Sequence, residues 1–469
     1  MSLGLTKRRR TARGDDGVVL ILTALALGVI FGMAALAIDI GNIGQTAQGA
    51  QGAADAAAVS GAQLLKDSSQ TLSGIVTQVE QYVHDNFSAI TADSSNLNGA
   101  HDSWDTCTSQ PSGFVTPAPP DSYGNPQNCI TFNSDNAPGT SGAATAVNVE
   151  IPPQAVPSTF GRALGNGGPT NLTASATASL APASSPCALC VLGGSGRTVS
   201  ATGTSSLSVT SDSGGSAILV DSSGTPAVSA NGNSTISAPG GTIEVVGTTS
   251  GNVTPAPTTG GGVTADPLAY LGTPTPGPVH VDPHVTGSRA VTIDPGTYPS
   301  ITVDSGTLTL SAGTYVITGA FEVKGGSSVF SGLGGVTLYF TCGTARAPTA
   351  CAAPGEAGGY LKLDGGSGFG LSAPTTGDLA HVLVYYDRLD TSPIVIDGNS
   401  GFDSTGTIYA KSAALEFNGS VVGLDSLVDV GSVDFVGGAQ VTIDYRAGNN
   451  AGALEAALCT LEPASLANC

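Results

Sequence analysis

Charged and aromatic residues are scarce in this chain. Only 11% of its 469 residues are Asp, Glu, Lys or Arg, only 5% are aromatic, and there is one tryptophan. Fifteen Lys and Arg stand against 35 Asp and Glu, so the formal net charge is −20. Such a surface would repel phosphate backbones, which excludes a nucleic-acid partner. With 40% apolar residues and few charges, the composition is also not that of an intrinsically disordered chain.

A basic head precedes a long uncharged run. Five of the fifteen basic residues lie before position 14, and Val18–Ile38 then continues for 21 residues without a charge. As a helix this run would span roughly 31 Å, enough for a hydrocarbon core of about 30 Å. The basic head predicts that residues 1–17 are cytoplasmic and the remainder extracytoplasmic. The alternative is a cleaved signal peptide, whose apolar region would be only about 7–15 residues long. We therefore expect a retained single-pass anchor in a bacterial cytoplasmic membrane.

The apolar run continues into a stalk of small residues. Gly41–Leu65 is rich in Ala and Gln and has no Pro, which predicts that one helix continues outside the membrane. Asp39 ends the apolar run, and a charge stands inside a polyalanine run at Ala54, Asp55 and Ala56. With the basic head, these features resemble the N-terminal segment of TadG-like proteins of the Flp-pilus (tight-adherence, Tad) assembly system. The resemblance implies that the membrane and stalk helix contacts pilus-assembly or envelope proteins.

The resemblance extends over roughly residues 13–182 and implies a pilin-like exterior domain over 39–182. The apolar spacing of Gln70–Ala89 predicts an amphipathic helix, and 93–143 has the composition of a loop. Alternating residues in Ala144–Ile151 and Leu172–Leu180 predict strands. Related pilins carry Glu five residues after the Gly of the cleavage site. Leu22 and Val19 stand at that distance from the two candidate glycines, so the resemblance does not extend to prepilin cleavage.

Glycine and proline are abundant: 66 Gly and 28 Pro form a fifth of the chain. Their usual share is about 12%. The length predicts two or three folded units, at roughly 150 residues per domain. Between residues 187 and 445, glycines separate short alternating runs such as SLSVTS and VTIDY, and Gly296-Thr297-Tyr298 recurs as Gly313-Thr314-Tyr315. Short strands with a turn at each corner predict a right-handed β-helix in which successive rungs stack in parallel.

A proline-rich segment interrupts the repetitive region, and a tail follows it. Residues 255–283 contain seven prolines. Since proline cannot occupy a central strand, we expect an excursion between two groups of rungs. Residues 446–469 are expected to form a C-terminal tail. The alternative to a β-helix is an antiparallel sandwich or barrel, which would need the same strands to pair differently. Asp266-Pro267-Leu268-Ala269 and the Gly-Thr-Tyr turns also resemble the β-solenoid attached to some TadG-like proteins.

The eight cysteines suggest disulfides in an oxidising compartment. Their even number outside the membrane run fits such a compartment. Eight cysteines allow 105 connectivities, and sequence proximity favours neighbour pairs. For Cys187-x-x-Cys190 a redox or zinc motif is the alternative, but a second CxxC is absent from the sequence. The expected pairs are Cys107–Cys129, Cys187–Cys190, Cys342–Cys351 and Cys459–Cys469.

Residue patterns for catalysis or metal binding are sparse. His280, Asp282 and His284 have the period-two spacing that places side chains on one face of a strand. Prolines on both sides favour an extended loop instead, so these residues are only candidates and no metal is expected. Asp221 begins a segment like the metal-site pattern of von Willebrand A domains, but that fold needs alternating helices. His381, Asp387, Arg388 and Asp364 do not form a carboxylate pair specified by spacing, so we expect no catalytic residue.

The predicted fold class is a membrane-anchored α+β pilin-like region followed by a mainly β right-handed β-helix. We expect a non-enzymatic envelope protein that assists assembly or anchoring of Flp/Tad-type pili, or surface adhesion. The alternative is a membrane-tethered β-helical protein that binds or cleaves carbohydrate. The expected partners are the membrane, pilus-assembly or envelope proteins and, for the alternative, a surface polysaccharide. No cofactor is expected.

Overall fold

The computed structural model describes most of the chain, with its longest gaps before residue 168. The described residues are 16–67, 70–86, 104, 107, 112–115, 128–137, 143–158, 168–212, 216–332, 334–353, 355–398, 401–419 and 421–459. Most of the predicted basic head and most of the predicted loop 93–143 lie outside the described residues, as does Cys469.

Two helices precede the first described strand. Helix α1 spans Asp16–Leu64 and helix α2 spans Leu72–Asn86. The 49 residues of α1 make it about 74 Å long at 1.5 Å per residue. The prediction that the membrane run and the stalk form one helix is confirmed, because Ala, Leu and Gln sustain a helix and no proline interrupts it. The predicted amphipathic helix is α2, which buries one apolar stripe including Ile75 and Val79.

A four-stranded antiparallel sheet packs against both helices. With strands numbered in chain order, its members are β1 (Ile130–Phe132), β2 (Ala146–Val156), β3 (Thr170–Pro182) and β34 (Leu454–Leu458). The alternate residues Val147, Val149 and Ile151 of β2 are fully buried in a core shared with α1 and α2. Strand β34, which pairs with β3, comes from the segment predicted as a tail. The last described strand therefore returns to the sheet beside the long helix.

The first block of parallel strands occupies residues 187–259. Its strands are β4 (Cys187–Val191), β5 (Val199–Ala201), β6 (Ser206–Ser211), β7 (Ser216–Val220), β8 (Val228–Ala230), β9 (Thr235–Ser237), β10 (Ile243–Val245), β11 (Thr249–Gly251), β12 (Val253–Thr254) and β13 (Thr258–Thr259). Strands three apart in the chain are neighbours, as in the parallel pairs β4–β7, β5–β8 and β6–β9.

The second block of parallel strands occupies residues 284–445. Its strands are β14 (His284–Val285), β15 (Ala290–Ile293), β16 (Gly296–Tyr298), β17 (Ile301–Val303), β18 (Gly306–Leu310), β19 (Gly313–Ile317), β20 (Ala320–Val323), β21 (Ser327–Ser331), β22 (Val336–Phe340), β23 (Cys342–Thr344), β24 (Ala347–Thr349), β25 (Tyr360–Leu363), β26 (Gly368–Gly370), β27 (Val382–Tyr386), β28 (Ile394–Asp397), β29 (Gly401–Phe402), β30 (Thr407–Asn418), β31 (Val421–Leu424), β32 (Val428–Val436) and β33 (Gln440–Tyr445). Among them, β23 and β24 form an antiparallel hairpin, and the other described pairings are parallel.

The parallel strands form one 18-stranded sheet and two five-stranded sheets. Parallel pairing is confirmed, and the antiparallel sandwich is wrong for this region. The two Gly-Thr-Tyr segments lie in the neighbouring strands β16 and β19, but Gly296 pairs with Tyr315 rather than with Gly313. Aromatic rings stack between adjacent strands inside the core, with Phe417 and Phe435 5.4 Å apart between centroids. These contacts between strands, rather than within one strand, bury the apolar residues.

The two blocks do not stack in chain order. Strand β32, near the end of the second block, pairs with β4 and β5 of the first block, and β33 pairs with β6. The prediction that successive rungs from 187 to 445 stack in order is therefore wrong at this junction. The physical reason is that many strands in both blocks are short and rich in apolar and small polar residues, so the local pattern does not specify which neighbouring strand each one pairs with. We call the contact between β32 and the pair β4 and β5 the seam.

The proline-rich segment connects the two free ends of the stack. The backbone N–H of Thr264 donates to Asp221 of the first block, whereas the carbonyl of Gly277 accepts from Thr297 of the second. The segment therefore has contacts with strands of both blocks. Pro255 and Pro257 flank the short end strands β12 and β13, where a missing N–H reduces the tendency of an edge to pair with another chain.

Candidate functional site

The apolar first half of α1 is exposed with respect to the rest of the described chain. Its large apolar side chains from Val19 to Ile40 are 51–70% exposed. Among the described helices, α1 has the length and the apolar composition to cross a membrane. Exposed apolar surface costs about 25 cal/mol per Å² in water, so a face of this extent is stable only in an apolar environment.

Asp39 marks the point where α1 changes from exposed to packed. Its side chain is buried, with 8% exposure, and its Oδ2 accepts a hydrogen bond of 2.9 Å from the Ser158 hydroxyl. Ser158 follows strand β2, so this contact ties the end of the apolar run to the antiparallel sheet. Asp39, a residue that carries the family resemblance, therefore connects the helix to the end of strand β2.

The polyalanine run is the packing surface of the second half of α1. Ala54 is fully buried against the sheet, whereas Asp55 and Ala56 are half-buried. The Gln51 amide donates to Asp55 Oδ1 at 2.7 Å and to the carbonyl of Ser175 in β3 at 3.1 Å. Small side chains allow the helix to approach β2 and β3 closely, and the charge at Asp55 orients the amide that reaches β3.

Gly61 provides a direct test of this packing. A Cβ at Gly61 would lie 3.0 Å from Val79 of α2 and 3.1 Å from Val147 of β2. Gly61→Leu should therefore lower the free energy of unfolding by about 1–3 kcal/mol through overpacking. The change can be measured by chemical denaturation of the full chain in detergent.

Gly52→Ala is the matched control for Gly61→Leu. It lies on the same helix, and an added Cβ would meet nothing within 4 Å. Replacing an exposed helical glycine by alanine should stabilise the helix by about 0.5–1 kcal/mol. Equal effects of the two variants would contradict the close approach of α1 to the sheet.

The three candidate metal ligands take different partners. The His280 ring stacks on Tyr298 at 4.7 Å between centroids, and its Nε2 lies 3.3 Å from the carbonyl of Pro295. His284 Nε2 lies 2.6 Å from Asp304, which also pairs with Lys324. Asp282 lies between them in the chain, outside the described strands. Within the described residues, no group of three His, Cys, Asp or Glu is arranged to hold a metal ion.

Three of the expected disulfides are present. Cys107–Cys129, Cys187–Cys190 and Cys342–Cys351 have Cα–Cα distances of 5.0, 5.5 and 5.1 Å. Cys187 and Cys190 are fully buried in β4, which favours the structural role over the redox alternative. Since Cys469 lies outside the described residues, the pair Cys459–Cys469 stays a prediction.

Residues 266–271 of the proline-rich segment are held against the second block, and we call them the clasp. The Arg388 guanidinium donates to the carbonyls of Ala269 and Leu271, each at 2.7 Å. Asp266 Oδ2 accepts from the Tyr409 hydroxyl at 2.8 Å and pairs with Lys411 Nζ at 3.1 Å. Side chains from β30 and from the residues after β27 thus bind one short segment through charges and backbone carbonyls.

Buried carboxyl groups meet under the clasp, close to the seam. Asp429 of β32 has no exposed surface, and neither of its oxygens has a hydrogen-bond partner among the described residues. Burial raises the pKa of the Asp429 carboxyl well above its usual range, and the nearby charge of Asp266 raises it further, against the lowering effect of the Lys411 charge. Burial likewise raises the pKa of Asp221, against the lowering effect of the Thr264 N–H.

This cluster was not predicted from the sequence, although the sequence contains one signal for it. Asp429 stands between two apolar residues, Val428 and Val430, in a predicted strand. A carboxyl group at such a position is rarely buried without a reason. Asp221, Asp266 and Arg388 belong to segments with other predicted roles, and their proximity to Lys411 and Asp429 arises only in the folded chain.

The hydrogen bonds of Arg388 predict that this side chain stabilises the clasp against local unfolding. Arg388→Ala should remove the charged donor to the carbonyls of Ala269 and Leu271. Hydrogen bonds to charged groups contribute about 1.5–3 kcal/mol, so we expect a loss of stability of that order. Hydrogen exchange should increase at residues 264–275.

Arg446→Ala serves as the control for Arg388→Ala. Arg446 is exposed, and it pairs with Asp444 at the surface. Exposed ion pairs contribute little to stability, so exchange at residues 264–275 should not change. Unchanged exchange in Arg388→Ala would show that the clasp does not depend on this guanidinium.

A groove of about 630 Å³ lies between the antiparallel sheet and the second block. Neutral hydroxyl and apolar groups line most of it, and Asp378 carries the one charge among the described lining residues. Its walls include Thr145, Thr314 and Thr337, with Tyr270 of the clasp at one side. Its chemistry suits a neutral ligand with many hydroxyl groups.

Residues 17–64 match the Tad family model, described as "Putative Flp pilus-assembly TadE/G-like". The match coincides with α1, from the exposed apolar half through the polyalanine run. It confirms the resemblance inferred from Asp39, Ala54, Asp55 and Ala56. Comparison with curated proteins and with solved structures returned no match.

Proposed function

We propose that this protein is a non-enzymatic, membrane-anchored component that assists the assembly or anchoring of Flp/Tad-type pili or surface adhesion. The observation that carries the proposal is the division of α1 at Asp39. The family model for pilus-assembly proteins matches both halves of α1. The apolar half is exposed, and the alanine-rich half packs against the sheet. The helix would pack in the membrane against pilus-assembly or envelope proteins, and the strand region would be a rigid extracytoplasmic surface.

Two further observations support this arrangement. The basic residues before position 14 favour a cytoplasmic N-terminus, and the three disulfides suit an oxidising compartment for the remaining chain. The parallel pairs between strands three apart are those expected if the blocks wind as a right-handed β-helix. Such a stack would resist bending because each turn is hydrogen-bonded to the next.

A helix exchange in a producing strain tests whether α1 does more than anchor. Residues 19–38 would be replaced by an unrelated apolar helix of equal length, with residue 39 onward unchanged. If the native surface contacts assembly proteins, the exchanged chain should reach the membrane but fail to restore surface pili in a deletion strain. Pili would be counted by electron microscopy, and surface adhesion would be measured in parallel.

The native chain restored to the same strain is the control. A phosphatase fused after residue 459 should be active in both chains, since this reports that the strand region is outside the cytoplasm. Normal piliation and adhesion in the deletion strain would refute the proposed function. Full restoration of surface pili by the chain with the exchanged helix would instead show that this part of α1 acts only as a membrane anchor.

The groove favours a second candidate function, the binding of a neutral surface polysaccharide. Threonine hydroxyls can both donate to and accept from sugar hydroxyls, and the Tyr270 ring offers an aromatic face. The acidic charge of the chain would repel an anionic polysaccharide. A neutral polymer from the envelope or from a colonised surface is therefore the ligand class that this groove suits.

Filling the groove tests the second function. Thr314→Trp should reduce binding of neutral polysaccharides at least tenfold, because the indole would occupy the space between β19 and the clasp. Binding would be measured by calorimetry on the full chain. Thr307→Trp in β18 is the matched control, since Thr307 lies in a different sheet. Failure of the native chain to bind any neutral polysaccharide would exclude this function.

A further inference from the structure

One row of side chains on the large sheet faces the clasp. Tyr385, Tyr409 and Asp429 are register partners in the neighbouring strands β27, β30 and β32, and directly opposite partners point to the same side of a sheet. The Tyr385 hydroxyl donates to the carbonyl of Leu271 at 3.3 Å, and the Tyr409 hydroxyl donates to Asp266 Oδ2 at 2.8 Å. Asp429 is the next member of this row, so its carboxyl group lies on the side that the clasp covers.

The segment that contains the clasp is held on both sides of Asp429. Strand β4 pairs with β32, and β7 pairs with β4. Asp221, which follows β7, accepts the Thr264 N–H at 3.0 Å. Residues 264–271 are therefore bound at Asp221 on one side of Asp429 and at Tyr409 of β30 on the other.

The Asp429 carboxyl group is enclosed without a donor. Its side chain has no exposed surface, and neither oxygen has a hydrogen-bond partner among the described residues. An ionised carboxylate is strongly disfavoured in such surroundings, whereas the protonated group carries no net charge. Burial accordingly raises the pKa of Asp429. The protonated form suits the closed arrangement, and the ionised form requires water.

Titratable and charged groups approach this site from several elements. They are Asp266 of the clasp, Lys411 and Tyr409 of β30, Asp221 after β7 and Arg388 after β27. Strand β4, on the other side of β32, contains no charged residue. The Lys411 ammonium already pairs with Asp266 at 3.1 Å. Ionisation of Asp429 would therefore place a further negative charge beside the clasp without a new cation to balance it.

We propose that the proton on Asp429 holds the clasp closed, and that the clasp opens when this carboxyl group is ionised. The proton passes to solvent, and the new carboxylate is repelled by Asp266, which is part of the clasp. Opening admits water to the carboxylate and separates the two negative charges. No other group has to change its charge, and the hydrogen bonds of Arg388 to the clasp oppose opening at every pH.

The direction of the pH dependence follows from burial. The closed form raises the pKa of Asp429, whereas hydration in the open form returns it toward the usual aspartate value of about 3.9. The closed form therefore binds the proton more tightly. The stability of the closed clasp is complete below the usual pKa, and it is lost as the pH rises from there toward the raised value.

Opening of the clasp would also change the groove. Tyr270 of the clasp and residues 272–275, which follow the clasp, line one side of the groove. The affinity for a neutral polysaccharide should therefore fall as the pH rises. This consequence rests on the second candidate function, whereas the movement of the clasp does not.

Hydrogen exchange of the full chain in detergent tests the movement. The rate at residues 264–275 would be measured in the native chain and in Asp429→Asn at several values between about pH 5 and pH 8. The ratio of the two rates cancels the chemical pH dependence of exchange, and asparagine cannot ionise. This ratio should rise about tenfold or more across the series, because the loss of one proton changes the opening equilibrium by up to about tenfold per pH unit. A constant ratio would overturn the proposal.

Asp304→Asn is the matched control. It removes a carboxylate that pairs with Lys324 near the surface, so the ratio of native to control rates at 264–275 should stay constant. Exchange at residues 147–151 in the buried strand β2 should be equal in all three chains, which reports intact folding. If Asp429→Asn loses that protection, the native chain decides alone. Its rate at 264–275, divided by that of the same segment as a free peptide, should rise with pH, and a constant quotient would refute the proposal.

Calorimetry with a neutral polysaccharide tests the consequence for the groove. The affinity of the native chain should fall severalfold across the same pH series, and that of Asp429→Asn should stay constant. Absence of binding at every pH, together with a pH-dependent clasp, would reject the second candidate function and support the clasp proposal. Binding that does not change with pH while the clasp opens would overturn the connection between clasp and groove.

Discussion

The seam between β32 and β4 is the contact on which the strand stack depends. The Leu192 N–H donates to the carbonyl of Val430 at 2.9 Å, and the Gly193 N–H donates to that of Gly431 at 3.1 Å. A parallel strand needs a neighbour on each side, and an unpaired edge leaves donors and acceptors without partners. The seam pairs an edge of each block with the other, and one continuous core then contains apolar residues of both blocks.

The seam also determines the path of the rest of the chain. Because the chain enters the stack at Cys187 and leaves it at Tyr445, both connections to the antiparallel sheet emerge near the middle. The Ser185 N–H donates to the Tyr445 hydroxyl at 3.1 Å, which joins the entry to the exit. The segment between the blocks must then travel the length of the stack outside it. Its clasp is bound where it passes β30, beside the buried carboxyl of Asp429.

The long helix connects two environments. Its apolar half suits a membrane, and its alanine-rich half buries small side chains against β2 and β3. Asp39 lies at the boundary between these two halves. Its hydrogen bond with Ser158 connects the helix to the segment that follows β2 of the sheet. Because β34 pairs with β3, the strand stack is attached to that sheet at both ends of its sequence. A displacement of the helix would therefore reach the stack through the sheet.

Local patterns in the sequence were sufficient for the local structure. The uncharged run and the stalk predicted α1, alternating residues predicted short parallel strands, and proximity predicted three disulfides. The prolines of 255–283 predicted an excursion. These features follow from the conformational preferences of neighbouring residues. The order of the two blocks was decided only by the tertiary structure, because strands of similar composition can pair with many edges and the lowest free energy depends on all of them together. The same holds for Lys411, Asp266 and Asp429, which come from separate segments and are brought near one another only by the tertiary fold.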